Sequence, residues 1–104
     1  MNSALIVLST CPNSTEAKQL ANGLIENKLA ACVQLKAISS IYHWQGKLQQ
    51  DEEIQLMIKT TQQRYAAVEH YIKQHHSYTL PEIVAIPVQM GSGEYISWLQ
   101  ACVE

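Results

Sequence analysis

The sequence predicts an α+β fold. One antiparallel sheet carries two helices on one face, in the order β-α-β-β-α-β, and a further helix follows at the C-terminus. Three observations predict it. Strand-like apolar or alternating runs fall at residues 5–9, 32–44, 53–60 and 82–88. Apolar stripes at three- and four-residue spacing separate the first run from the second and the third from the fourth. Glycine and proline are scarce, four and three residues, and read as punctuation between elements.

The elements follow in order. Leu5 to Ser9 is a short apolar run ending in the turn-like Thr10-Cys11-Pro12-Asn13-Ser14, so it reads as a buried strand. Asn13 with Glu16 three residues on has the form of a capping box. Ala17, Leu20, Ala21, Leu24 and Ile25 then form one stripe, predicting a helix over 14–27. Residues 32–44 alternate, with Val33, Leu35, Ala37, Ser39, Ile41 and His43 on one face; the β-branched and aromatic content favours a long strand. Gln45-Gly46-Lys47 is a turn, and Ile54, Leu56 and Ile58 alternate in the returning strand of a long hairpin. Tyr65, Val68 and Ile72 predict a second helix over 61–76. The Ile- and Val-rich run at 82–88 is a fourth strand, and Pro87 near its end suggests a sheet edge or a bend. Tyr95, Trp98, Leu99 and Cys102 mark a short amphipathic helix. This is the split β-α-β, ferredoxin-like order. Two helices on one face leave the other uncovered, and self-association is the cheapest cover.

Composition bounds the function. With 104 residues the chain, 1–104, is read as a single domain. Apolar residues make 47% and charged residues 15%, as in a folded domain. The net charge of −2 argues against a partner that is nucleic acid or anionic membrane. The run Ala4–Leu8 is too short to span a bilayer and lacks a basic flank and cleavage pattern, so a cytoplasmic location is expected. Three dispersed cysteines with no Cys-x-x-Cys make neither a disulfide framework nor a structural zinc site.

Several residues could carry chemistry. His75-His76 closes a helix; neutral imidazoles there can bind a transition metal, or one can cap the helix C-terminus. Cys11 precedes a helix start, where a thiol's pKa falls and it becomes a better ligand or nucleophile; alternatively it is only a small turn residue. Cys32 and Cys102 read as packing. Tyr42, His43, Trp44, Gly46 and Lys47 cluster at the hairpin tip, lining a pocket or packing across strands. Asp51-Glu52-Glu53 is a weak cation site or a solvated strand end. Lys59, Tyr78 and Glu82 could form a polar cluster at strand ends. No nucleophile with base and orienter stands out, and Gly91-Ser92-Gly93 is too short for a phosphate loop, so no enzyme is predicted.

The stretches Cys32-Val33-Gln34, Ser40-Ile41-Tyr42-His43-Trp44-Gln45-Gly46-Lys47, Glu53, Lys59-Thr60, His76-x-Tyr78-x-x-Pro81-Glu82-Ile83 and Tyr95-x-x-Trp98 together resemble the CutA divalent-cation tolerance proteins. The resemblance covers nearly the whole chain. It implies a tight homotrimer similar in architecture to the PII signalling proteins. It also implies a role in tolerance of copper and other divalent cations, such as zinc, with a histidine pair matching His75 and His76 as ligands. The family's cysteine ligand falls at Ser9, and the nearest thiol, Cys11, is the third candidate ligand. Ser77 stands where the family often has proline, which predicts a looser loop after the histidines. Imidazole and thiolate suit copper or zinc better than magnesium or calcium, and such binding should weaken below about pH 6 as imidazole protonates. The alternative is a signalling or scaffolding trimer whose inter-subunit cleft is lined by Tyr42, Trp44, Lys47, Lys59, Tyr78 and Glu82, binding a small molecule or a protein.

Overall fold

Strand β1 (Ala4–Cys11) feeds helix α1 (Ser14–Glu26), followed by the long strands β2 (Cys32–Trp44) and β3 (Lys47–Thr61) in this computed structural model, which describes residues 2–104. A single 3-10 turn, Gln62–Arg64, leads into α2 (Tyr65–His75). Strand β4 (Val84–Pro87) and helix α3 (Gly93–Cys102) complete the chain. The sheet order is β2-β3-β1-β4, and every neighbouring pair is antiparallel. Two split β-α-β units therefore interleave, and β4 lies at an edge, where Pro87 costs no ladder bond that an inner strand would need.

Side-chain alternation sorts the two faces. Val7, Ser9 and Cys11 of β1 pair across from Ile58, Leu56 and Ile54 of β3 and point toward the helices. Ala17, Leu20 and Leu24 of α1 with Val68 and Ile72 of α2 close over them as the main core. The other face is only partly covered. Helix α3 lays Ile96 and Leu99 on Ala4 at one end, while Val84 and Ile86 remain half exposed beside it. The accessible area is 6658 Å², against about 5,900 Å² for a compact monomer of this mass. The excess comes from the hairpin, which stretches the molecule to 44 Å along one axis.

The hairpin is longer than its apolar pattern indicates. Strand β3 begins at Lys47, not near residue 53, because cross-strand pairing runs unbroken from Trp44–Lys47 to Cys32–Lys59 through a polar stretch. Its two-residue loop is Gln45-Gly46, with φ of 54° and 79°. This double left-handed conformation is that of a type I′ turn, whose twist matches the strands. Strand β1 likewise extends through Thr10 and Cys11, expected in a turn, because pairing with β3 continues to Ile54. Gly23 is not punctuation. It lies inside α1, where the ring of Tyr71 on α2 presses against its backbone.

Candidate metal centre and the hairpin cavity

Three element ends meet at one corner. Cys11 ends β1, Glu16 lies in the first turn of α1, and His76 follows the last residue of α2. Asn13 caps α1, its Oδ1 accepting from the Glu16 N–H at 2.9 Å. The reciprocal half of the capping box is absent, because the Glu16 carboxylate is used elsewhere. Its Oε2 accepts from the Ser77 N–H at 3.1 Å and from Ser77 Oγ at 3.0 Å. A proline at 77 could not donate the first of these. The loop after the histidines is thus tied down by serine, not loosened by it.

The ligating atoms of Cys11, Glu16 and His76 all lie within 4.8 Å of one another. The His76 side chain is wholly buried, and its Nε2 donates to the Thr10 carbonyl at 2.6 Å. Its Nδ1 accepts the Tyr78 N–H at 3.0 Å. A carbonyl can only accept and a backbone N–H can only donate, so the pair fixes the neutral Nε2–H tautomer. Cys11 Sγ stands 3.7 Å from the same Nε2, and Glu16 Oε2 stands 3.6 Å from Nδ1. The helix start does not acidify Cys11. Burial, with Glu16 and Glu53 adding like charge, pushes its thiol up to about 12.

His75 is elsewhere. It is the last helical residue, whereas His76 is extended at φ −91° and ψ 143°, so the two rings diverge. His75 stacks on Tyr71, ring centroids 4.0 Å apart, and its Nδ1 donates to the Tyr71 carbonyl at 2.8 Å. That caps the helix end, the other role open to this pair. Ser9, two residues before Cys11 on the same strand face, is fully buried with its Oγ unpartnered. Glu16 carried no metal-spacing signal in the sequence. Only the packing of α1 against the loop after α2 brings it to the imidazole.

A second feature lies across the sheet, between the hairpin and the 77–82 loop. Tyr42, Trp44, Tyr78 and Glu82 line a cavity of about 910 Å³ together with Thr10, Asp51 and Glu53. Of the acidic run, Glu52 is exposed as at a solvated strand end, Asp51 is partly buried and Glu53 is buried. Glu53 is 7% exposed and accepts from the Tyr78 hydroxyl at 2.8 Å, and Tyr42 donates to Asp51. Glu52 points to the other face and accepts from Ser39 Oγ at 2.7 Å. Lys47 pairs in register with Trp44 but does not line the cavity. Within the chain Lys59 is at the opposite end of the sheet, where its Nζ donates to Tyr95 Oη at 3.2 Å. Cys32 and Cys102 are partly buried thiols away from both features.

The sequence and the fold both have close counterparts. The sequence model of the CutA1 divalent ion tolerance protein family matches residues 5–102. A Yersinia pestis divalent-cation tolerance protein CutA is 44% identical over 101 residues, covering 96% of this chain and 85% of that protein. A Xenopus laevis CutA homolog is 45% identical over 91 residues, 86% of this chain, and the match spans 60% of the Xenopus protein's length. Among solved structures, the periplasmic divalent cation tolerance protein CutA of Archaeoglobus fulgidus superposes with a TM-score of 0.95 at 38% identity, covering 97% of this chain and 99% of that one. CutA1 from Oryza sativa gives 0.94 at 38% identity, covering 97% and 94%. With the family pattern matched over nearly its whole length and the fold shared throughout, the chain belongs to the CutA1 divalent ion tolerance family.

Proposed function

We propose that this chain binds a divalent transition-metal cation, copper before zinc, at the corner formed by Cys11, Glu16 and His76. The observation that carries the reading is the convergence of thiol, carboxylate and imidazole from three separate element ends. The 3.7 Å separation of Sγ and Nε2 suits two ligands on one ion, since metal–sulfur and metal–imidazole bonds of about 2.3 and about 2.0 Å place tetrahedral partners about 3.5 Å apart. A metal on Nε2 replaces the proton now shared with Thr10. Soft and borderline donors of this kind select copper or zinc over magnesium or calcium. The role is binding, not catalysis. His75 stands outside this group, stacked on Tyr71.

The working unit in this reading is a homotrimer. Val84 and Ile86 on the open sheet face, and Ile41 and Leu48 toward the hairpin tip, are half exposed or more. Such apolar surface is best covered by copies of the same chain. Three free cysteines fit a reducing compartment, so the cytoplasm is the proposed location.

Native mass spectrometry of metal-stripped protein during a Cu(II) titration tests both parts. Discrete uptake of one ion per subunit by a trimer is expected, with loss of that uptake in Cys11→Ser and in His76→Ala. Graded, unsaturable adducts that persist in both variants reject the metal site. A single-subunit mass at micromolar concentration rejects the trimer.

A further inference from the structure

The two nitrogens of the His76 ring have different neighbours. Nε2 donates to the Thr10 carbonyl at 2.6 Å, with Cys11 Sγ 3.7 Å away. Nδ1 has both a donor and an acceptor beside it. The donor is the Tyr78 N–H at 3.0 Å, whose hydrogen bond Nδ1 accepts. The acceptor is Glu16 Oε2, which stands 3.6 Å off, just beyond hydrogen-bond reach. Only one of these can be used at a time. A bare Nδ1 accepts from Tyr78, and a protonated Nδ1 donates to Glu16. The ring makes the first arrangement while the partner for the second waits beside it.

That partner is fixed in position. Glu16 lies in the first turn of α1, and its Oε2 accepts from both the N–H and the Oγ of Ser77. Its Oε1 has no hydrogen-bond partner among the described residues, which leaves that oxygen for an ion. The His76 side chain is wholly buried, so any change of partner must be met by protein groups.

With a divalent cation on Nε2, the reading proposed above and the one on which this inference rests, that nitrogen cannot keep its proton. A neutral imidazole ligand carries its proton on the other nitrogen, where a carboxylate or a carbonyl orients it. A protonated Nδ1 would face the Tyr78 N–H, and two donors cannot bond. Glu16 is the acceptor at hand.

We propose that Glu16 is a positioning residue for His76, and that metal binding moves the ring proton from Nε2 to Nδ1, exchanging the Tyr78 N–H for the Glu16 carboxylate and releasing the loop after α2. One proton leaves Nε2 and one is taken up at Nδ1, both exchanged with water, so the ring is neutral before and after. Three donors then share Glu16 Oε2, and its hold on Ser77 loosens as the Tyr78 backbone comes free. The Tyr78 hydroxyl, bonded to Glu53 of β3 at 2.8 Å, carries the change from the corner into the sheet.

Heteronuclear NMR of the isotope-labelled protein, titrated with Zn(II) as a diamagnetic probe, tests this. Metal-free protein should show a protonated Nε2 and a bare Nδ1 at His76. With Zn(II) bound, the proton should appear on Nδ1, and hydrogen exchange at the Tyr78 amide should quicken about threefold to tenfold, as expected for one lost hydrogen bond. Glu16→Gln keeps an acceptor oxygen for Ser77 and should fold, with Zn(II) affinity lowered about tenfold or more. The proposal is overturned if Zn(II) binds saturably while Nδ1 stays bare and the Tyr78 amide keeps its protection. It is equally overturned if Nδ1 itself takes the metal, or if Glu16→Gln binds Zn(II) as tightly as the parent. Each of these results leaves the corner standing as a metal site. No saturable change at His76 would instead reject the corner itself, and the proton exchange with it.

Discussion

The Tyr71 ring fills the space that a side chain at Gly23 would need. A Cβ built on Gly23 would lie 1.7 Å from Tyr71 Oη and 2.6 Å from its Cζ. Glycine at this helical position sets how closely α1 approaches α2, and the same ring then supports His75 by stacking. Alanine normally improves a helix interior by about 1 kcal/mol over glycine. Here the overlap outweighs that gain, and Gly23→Ala should destabilise by about 1–3 kcal/mol, the usual cost of overpacking. Urea denaturation measures it. In a double-mutant cycle, Tyr71→Ala should relieve most of the Gly23→Ala penalty. Additive losses would show that the contact is not the cause.

The adjacent histidines should differ sharply when replaced in metal-free protein. His76 is buried with both ring nitrogens bonded, to the Thr10 carbonyl and the Tyr78 N–H. Removing it strands two buried backbone groups, which costs about 2–5 kcal/mol. His75 is exposed and makes one bond at a helix end, so His75→Ala should cost about 1 kcal/mol or less. Comparable losses in chemical denaturation would contradict the separate placement of the two rings.

The Cys11 thiol is expected to be the slowest of the three to react. It is fully buried and its thiol is pushed up to about 12, so very little thiolate exists near neutrality. Cys32 and Cys102 are only partly buried. Timed alkylation followed by peptide mapping should label those two first. If Cys11 binds metal as a thiolate, each binding event releases its proton, and affinity should rise with pH by up to about tenfold per unit. Calorimetry in buffers of different ionisation enthalpy counts that proton. No proton release with retained affinity would remove Cys11 from the ligand set.

The fold was legible wherever side-chain period and burial agree. Leu20 and Leu24 repeat on the core-facing stripe of α1, and Leu56 and Ile58 alternate in β3 beneath them, so both elements show in the pattern. The first half of β3 was not legible, because residues 47–52 are polar and are held in the strand by pairing with β2. The metal corner was half legible. Cys11 and His76 are ligand types on sight, but Glu16 joins them only through tertiary packing, and which histidine turns inward is decided by where α2 stops. The cavity was legible in its aromatics Tyr42, Trp44 and Tyr78. It was missed in Thr10, which gave no local signal and faces the cavity only because β1 sits inside the sheet.

Charge placed on the open sheet face should dissolve the proposed trimer. Ile86 pairs with Ile6 on β1 and is 50% exposed in the single chain. On an unpartnered surface, Ile86→Asp would be tolerated within about 0.5 kcal/mol. Within an apolar interface it leaves an unpaired buried charge in each subunit, which costs several-fold more. Analytical ultracentrifugation should therefore show smaller species for the variant at concentrations where the parent stays assembled. An unchanged sedimentation coefficient would place the subunit contact elsewhere.

Tyr78 predicts a loss of stability on the alkaline side. Burial first, and then its hydrogen bond to Glu53, raise its pKa above the ordinary phenol value of 10.0. A raised phenol pKa means the folded state favours the protonated form. The sign follows from linkage: the contribution is fully present below pH 10, where the unfolded phenol is also protonated. It is lost as pH climbs from 10 toward the folded-state value, because unfolding then releases a proton. Tyr78→Phe removes the titrating group, so its stability should fall less steeply above pH 10 than the parent's. Denaturant midpoints measured across pH 9 to about 11 test this, alongside ultraviolet titration, in which the variant should lack the last phenol to ionise. Parallel stability curves for parent and variant would mean that the Tyr78 hydroxyl titrates as it does in the unfolded chain.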